Sequence, residues 1–276
     1  MRSFCVITAA AALTMALATA AESQAPVVSA PVPTYADLAD LGLAAPVVAH
    51  VRIVNSIALK DAQAAGVRPG LARFYVEADT VSLLRGARGI AARIRYLVDL
   101  PRDSSGRPQK LRKRAEYIVF AEPVAGRPGE LRLIAPDAQL AWSAGQGDLL
   151  RSILREASGG APPPQVTGIG RAFHVPGSLP GESETQIFLQ TADGRPVSLN
   201  VLRRPGQAPR WSVALSEIVD DAAEPPRPQT LLWYRLACTL PPSLPRQSLV
   251  EAESPDSIRA DYRLVIEGLG RCQRMR

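Results

Sequence analysis

Few side chains in this sequence could perform acid–base or nucleophilic chemistry, and the two histidines, His50 and His174, restrict the choice most. A zinc site would place histidines near cysteines or carboxylates at short spacing, but the HExxH, CxxC and HxH patterns do not occur. The GxSxG and SxxK motifs of common serine hydrolases are also missing. We therefore expect no metal and no cofactor, and the sequence favours a non-catalytic role.

One catalytic alternative stays open: an envelope hydrolase in which His174 works with a nearby carboxylate. That carboxylate could come from Asp220 or Asp221, which belong to an acidic segment, residues 217–224, after a predicted strand. The same segment is also typical of a solvated connection between two elements. Calcium binding is not indicated, because apolar pairs interrupt the acidic residues and the usual glycine and asparagine offsets are missing.

The positive charge of the chain is concentrated in one segment, residues 102–114. Lysine and arginine outnumber aspartate and glutamate by 32 to 26, which gives a net charge of +6 at pH 7. Within the segment the only acidic residue is Asp103. The candidate anion-binding residues are Arg107, Lys110, Arg112, Lys113 and Arg114. They predict either a surface that binds anionic lipid head groups or a solvated hairpin tip.

Residues 1–20 have the pattern of a secretory signal peptide. Arg2 precedes an uncharged run that ends at Leu17, and small residues stand before the cleavage site that we expect near Ala20. The run is too short to span a bilayer, and no later segment is a spanning candidate; an uncleaved N-terminal anchor is the alternative. We expect the mature protein to be periplasmic or secreted. Export and the 5% aromatic content argue against a nucleic-acid partner.

Signal removal would leave two of the three cysteines, Cys238 and Cys272. An oxidising compartment favours pairing them. Their wide spacing, without a CxxC motif, predicts a structural disulfide and not a reactive thiol.

Composition divides the mature chain into two predicted domains. An Ala/Pro-rich tether, residues 21–33, precedes a β-rich domain, residues 34–157. The glycines and prolines of residues 158–164 predict a linker, because proline removes a backbone donor and glycine does not sustain a helix. An α+β domain, residues 165–276, follows it.

The β-rich half is predicted to hold five strands after a short helix capped by Thr34, and a further helix is expected over residues 147–157. In the clearest strand, Ile94, Tyr96 and Val98 alternate with charged residues. The strands are predicted near residues 47–59, 71–85, 90–100, 115–124 and 129–135. Their spacing indicates an antiparallel meander or a small OB-like barrel, with a flat sheet packed on flanking helices as the alternative.

The second half is predicted to hold a small antiparallel sheet that two C-terminal helices cover. Its strands are expected over residues 185–191, 196–203 and 210–218, with Asp193–Gly194 as a tight turn. The cover would be residues 230–238 and a helix that begins at Pro255. The predicted fold class is thus α+β and β-rich.

Six segments carry a resemblance to known proteins: residues 35–53, 96–99, 181–189, 203–207, 211–220 and 232–238. In these segments the chain resembles a family of uncharacterised exported proteins of Gram-negative bacteria. The resemblance implies export and a shared fold, but no activity, cofactor or binding residue. We therefore expect a non-catalytic binding or envelope-associated protein, whose partner is an envelope protein or anionic lipid head groups.

Overall fold

A computed structural model describes residues 32–216, 223–250 and 252–276; the predicted signal peptide and most of the tether lie outside this range. Strands account for 36% of the described residues and helices for 23%, which confirms the predicted α+β, β-rich class. The strands are β1 (Val47–Ala58), β2 (Leu71–Arg85), β3 (Arg93–Pro101), β4 (Glu116–Pro123), β5 (Leu131–Leu133), β6 (Gln139–Ala141), β7 (Val166–Pro176), β8 (Ser183–Thr191), β9 (Val197–Arg203) and β10 (Arg210–Ala214). The helices are α1 (Tyr35–Ala44), α2 (Ala144–Ser158), α3 (Leu231–Ala237) and α4 (Pro255–Leu269), with short 3-10 turns at Asp61–Ala64 and Arg246–Leu249.

The first sheet curls into a small barrel of the OB-like kind. Its strand order is β3-β2-β1-β4-β5, and β6 pairs with the free part of β4. The two ends of this order then meet, because the Arg95 N–H donates to the Gly129 carbonyl at 2.8 Å and the Asp99 N–H donates to the Pro136 carbonyl at 2.7 Å. Since β4 pairs with β1 and not with β3, the connection is not a simple meander: residues 102–115 carry the chain across to β1.

The alternation in β3 forms one part of the barrel wall as the sequence predicts, and β2 alternates in the same way. Phe74 and Val76 of β2, like Ile94 and Val98 of β3, are buried in the barrel. The residues between them form the outer face, where charged side chains of the two strands lie opposite each other. Strand periodicity was therefore enough to identify the buried face of β3 from Ile94 to Val98.

The second sheet has the order β10-β9-β8-β7, and one of its strands escaped prediction. The sequence did not indicate β7, whose pairing with β8 shifts register between Val166 and Gly168 and again between Ile169 and Ala172. These β-bulges break the period-two pattern on which strand prediction depends. Of the two helices expected to cover this sheet, α4 packs on β7 and β9 and buries Ile258 on the stripe predicted for it.

Residues Pro33–Arg276 form one compact unit, in which buried apolar side chains of both sheets join a single core. The predicted linker, residues 158–164, follows α2 and leads into β7. The division into two domains at this point stays a prediction.

The last six residues, 271–276, form what we call the C-terminal strap. The predicted disulfide between Cys238 and Cys272 attaches it to the end of α3. The carboxylate of Asp37, in the first turn of α1, accepts the N–H groups of Met275 and Arg276. Burial raises the pKa of Asp37, but these hydrogen bonds and those from Thr34 outweigh it and hold the pKa below its ordinary value. The strap thus fastens α1 to α3.

Replacing both cysteines, Cys238→Ala with Cys272→Ala, should lower the free energy of unfolding by about 3–4 kcal/mol. The bridge spans 34 residues, and a loop of this length removes about that much chain entropy from the unfolded state. Urea denaturation without reductant measures the change, and wild-type protein in reductant is the control that should match the variant. A difference below about 1 kcal/mol would contradict a stabilising role for the bridge.

Candidate functional site

The segment 102–114, called the basic loop below, connects β3 to β4 and is almost entirely exposed. Eleven of its 13 residues are exposed, and only Asp103 and Leu111 are half-buried. The first part is a closed turn, in which the Asp103 carboxylate accepts the N–H groups of Ser105 and Arg107, each at 2.9 Å. The Arg107 guanidinium also pairs with Asp103 at 3.1 Å. Backbone donation from Arg107 is the main reason that the pKa of Asp103 is lowered.

The second part of the basic loop presents four cations: Lys110, Arg112, Lys113 and Arg114. All four side chains are exposed, and within the described part of the chain none pairs with a carboxylate. The next acidic residue along the chain, Glu116, is already engaged by Arg52 at 2.8 Å and His50 at 2.9 Å. Of the five predicted anion-binding residues, the structure thus neutralises Arg107 and leaves the other four unpaired.

Two contacts hold this part of the basic loop in place. Leu111 packs against the core, and its carbonyl accepts the Ser56 hydroxyl at 3.5 Å. The Arg114 N–H donates to the Ile53 carbonyl at 2.8 Å. Arg114 has a φ of 67°, a left-handed conformation in which an L-residue is strained and glycine is not. The backbone therefore presents the four cations from a defined position.

The histidine of the catalytic alternative, His174, meets a carboxylate that the sequence did not single out. Its Nδ1 lies 2.8 Å from the Thr185 hydroxyl, and that hydroxyl donates to Asp261 of α4. Asp220 and Asp221, the carboxylates considered from the sequence, lie outside the described residues. The one sequence feature that could have pointed to Asp261 is its charge, because it stands among the apolar positions of α4, between Ile258 and Tyr262.

The surroundings of Asp261 indicate a buried structural contact. Its side chain is 1% exposed, and Arg203 of β9 binds it at 2.8 Å through Nε. His174 lies 3.9 Å from the carboxylate, with the Thr185 hydroxyl bonded to both. The network neutralises Asp261 and links α4 to three strands of the second sheet, so the carboxylate has no free oxygen directed at His174 for acid–base work.

The other histidine, His50, is also a satisfied polar residue on a strand. Its Nε2 bonds to Glu116, and its ring stacks on Trp142 at a centroid distance of 3.6 Å. The Arg52 guanidinium first, and His50 second, lower the pKa of Glu116. Both histidines are therefore hydrogen-bonded residues on strands.

Asp261→Ala should lower the free energy of unfolding by about 3 kcal/mol, because it leaves Arg203 and Thr185 without their shared acceptor. His174→Ala should cost only about 1 kcal/mol, since Thr185 keeps its bond to Asp261. Urea denaturation of both variants, with the exposed Asp256→Ala on the same helix as control, measures the difference. Equal losses from Asp261→Ala and Asp256→Ala would contradict the role of a buried link.

Comparisons with family models and with curated proteins do not assign this chain to a family. No family model matches the chain, and no curated protein matches it. Among the described residues, no helix combines the length and the apolar character needed to cross a bilayer. The same residues hold no group of three or more histidine, cysteine or acidic side chains placed to bind a metal ion.

Proposed function

We propose that this chain is an exported, non-catalytic protein that docks on the anionic lipid surface of the cell envelope through its basic loop. The observation that carries the proposal is the group of four exposed cations, Lys110, Arg112, Lys113 and Arg114, which have no carboxylate partner among the described residues. By contrast, Arg73, Arg93 and Arg95 on β2 and β3 each pair with a carboxylate of the neighbouring strand. An unpaired cluster of this kind attracts anions because no neighbouring carboxylate cancels its field.

Lipid head groups fit this surface better than nucleic acid does. Each lysine or arginine near an anionic membrane contributes about 1 kcal/mol, so four give about 4 kcal/mol, enough for reversible docking. The basic loop has no phenylalanine, tyrosine or tryptophan on which a nucleobase could stack. Its recognition chemistry is therefore that of closely spaced phosphates and not of bases.

The strained backbone of Arg114 also supports a role for the charge. A left-handed residue that is not glycine costs about 1 kcal/mol or more. Arginine at this position gains no compensating bond from its side chain among the described residues. Residues held in such conformations cluster at functional sites.

Two further observations support a non-catalytic, exported protein. Both histidines lie in hydrogen-bond networks whose described carboxylates, Glu116 and Asp261, are already bonded to arginines, which favours a structural role for each histidine. The N-terminal pattern of residues 1–20 and the resemblance to exported proteins support transfer out of the cytoplasm. An oxidising compartment also suits the bridge between Cys238 and Cys272.

Export with signal removal predicts how many free thiols the protein contains. After expression of the full sequence in a bacterium, the protein in the periplasmic fraction should lack residues 1–20 and, when denatured without reductant, contain no free thiol. Unprocessed chain retains Cys5 and should show one. A matched variant, Ala18→Arg with Ala20→Arg, should block cleavage and keep that thiol. A wild-type periplasmic protein that still carries Cys5 would contradict signal removal; intact mass and thiol titration report both quantities.

Docking predicts binding to vesicles of phosphatidylglycerol and phosphatidylcholine but not of phosphatidylcholine alone. Replacing the four cations by glutamine should weaken co-sedimentation with the anionic vesicles by roughly tenfold or more, because it removes their Coulomb attraction. Raising the salt from about 0.15 M to about 1 M should have a similar effect on the wild type, since the Debye length falls to about 3 Å.

The control variant removes four positive charges at other exposed positions of the chain. Arg204, Arg210, Arg227 and Arg263 are exposed and make no carboxylate pair in the described part of the chain. Their replacement by glutamine should leave vesicle binding within about twofold of the wild type if position decides, and not net charge. The proposal fails if both variants bind alike, or if the wild type binds duplex DNA and not vesicles.

A further inference from the structure

A cavity of about 490 Å³ lies where the helices α1, α2 and α3 meet the end of β2 and the start of β7. This volume is within the range of small-molecule sites. We refer to it as the three-helix cavity. Polar side chains from several elements converge on it; they are Asp40, Arg85, Gln165, Tyr234, Arg235 and Thr239.

Two arginines of the three-helix cavity, Arg85 and Arg235, are half-buried and are held by backbone carbonyls. The Arg85 guanidinium donates through Nη1 to the carbonyls of Gly42 and Leu43 in the last turn of α1, at 2.8 and 3.2 Å. Arg235 donates through Nη1 to the Pro163 carbonyl. Neither arginine has a carboxylate partner among the described residues, and in both the Nε and Nη2 groups are left without an acceptor there.

The charge of these two arginines is not cancelled within the three-helix cavity. Among the described residues that line it, the one carboxylate, Asp40, is bonded by the Arg274 guanidinium at 2.7 Å and accepts the Tyr234 hydroxyl. Burial is the main reason that the pKa of Arg235 is lowered, and the charge of Arg195 adds to it. A half-buried cation loses hydration that no ion pair replaces here, so an entering anion is attracted by both guanidinium groups.

From these features we infer that the three-helix cavity binds a small phosphate monoester. This group carries nearly two negative charges at pH 7 and offers three acceptor oxygens, which suits two guanidinium groups with free donors. A carboxylate carries only one charge. The side chains of Gln165 and Thr239 have no hydrogen-bond partner among the described residues, so they can bond the ligand, and Ala157 and Val166 offer apolar surface to its organic part.

The inference does not depend on lipid docking, because the two sites lie at different places along β1. Arg85 lies opposite Val48, at the start of that strand. Arg114 of the basic loop bonds Ile53, further along it.

Titration calorimetry of the purified protein with glycerol 3-phosphate, inorganic phosphate and succinate tests the inference. Glycerol 3-phosphate should bind at one site per chain and more tightly than succinate. Arg85→Gln with Arg235→Gln should weaken this binding by roughly tenfold or more, because it removes both charge-assisted donors. Arg210→Gln with Arg263→Gln is the matched control; both residues are exposed, and this variant should bind within about twofold of the wild type.

A second variant leaves both arginines in place. Thr239 is exposed, so its replacement should be tolerated. Thr239→Glu brings a carboxylate to the three-helix cavity and should also weaken glycerol 3-phosphate binding by roughly tenfold or more, through repulsion and competition for the guanidinium groups. Thr239→Gln, which has the same size without the charge, should stay within about twofold. Circular dichroism and thermal melting show which variants are folded, and Thr239→Glu decides the test if the double arginine variant is not.

The phosphate monoester group also occurs in a lipid, as the head group of phosphatidic acid. Co-sedimentation of the Thr239→Glu and Thr239→Gln variants with vesicles of phosphatidic acid and phosphatidylcholine distinguishes the two sources. A loss for Thr239→Glu in calorimetry alone identifies a soluble ligand, and a loss with these vesicles identifies the head group. A loss in neither measurement overturns the inference.

The outcomes also separate the three-helix cavity from the basic loop. Glutamine at Lys110, Arg112, Lys113 and Arg114 should leave glycerol 3-phosphate binding unchanged. Thr239→Glu should leave binding to phosphatidylglycerol vesicles unchanged. The inference is equally overturned if succinate binds more tightly than glycerol 3-phosphate, or if the exposed control pair weakens phosphate binding as much as the cavity pair does.

Discussion

The pairing of β4 with β1, and not with β3, is the constraint on which the rest of the barrel depends. It forces the chain to leave β3 at Pro101 and travel to the opposite edge of the sheet before β4 begins at Glu116. The basic loop makes this connection. The same pairing carries β5 round to β3, where two backbone hydrogen bonds close the barrel. One topological choice therefore produces both the basic loop and the closure of the barrel.

Local sequence patterns predicted the features that depend on short-range periodicity. The alternation around Tyr96, the cap at Thr34 and the apolar stripe of α4 all appear as expected, as does the disulfide. The strand β7 was missed because two bulges disrupt its alternation, and β6 because three residues show no period. In both cases the strand pairing is too irregular or too short for periodicity to predict the strand.

The candidate sites follow the same division. The basic loop is contiguous in sequence, so its composition revealed it, although only the structure shows that Asp103 neutralises Arg107. The closure of the barrel joins β3 to residues beyond β4, and no single segment contains its pattern. Likewise, the bond from Thr185 to Asp261 spans 76 positions. A single sequence carries no signal for contacts at that separation, because propensities and periods are local properties.

The outer face of β2 and β3 and the basic loop differ in how their charges are arranged. On β2 and β3, Arg73, Arg93 and Arg95 each meet a carboxylate of the neighbouring strand, so each guanidinium is held in place and its field is local. In the second half of the basic loop no described carboxylate pairs with the four cations, so their field extends about a Debye length into solvent. Unpaired cations attract anions before contact, whereas paired ones act only at contact distance. The barrel therefore concentrates its long-range attraction for anions in the one connection that its topology forces across the sheet.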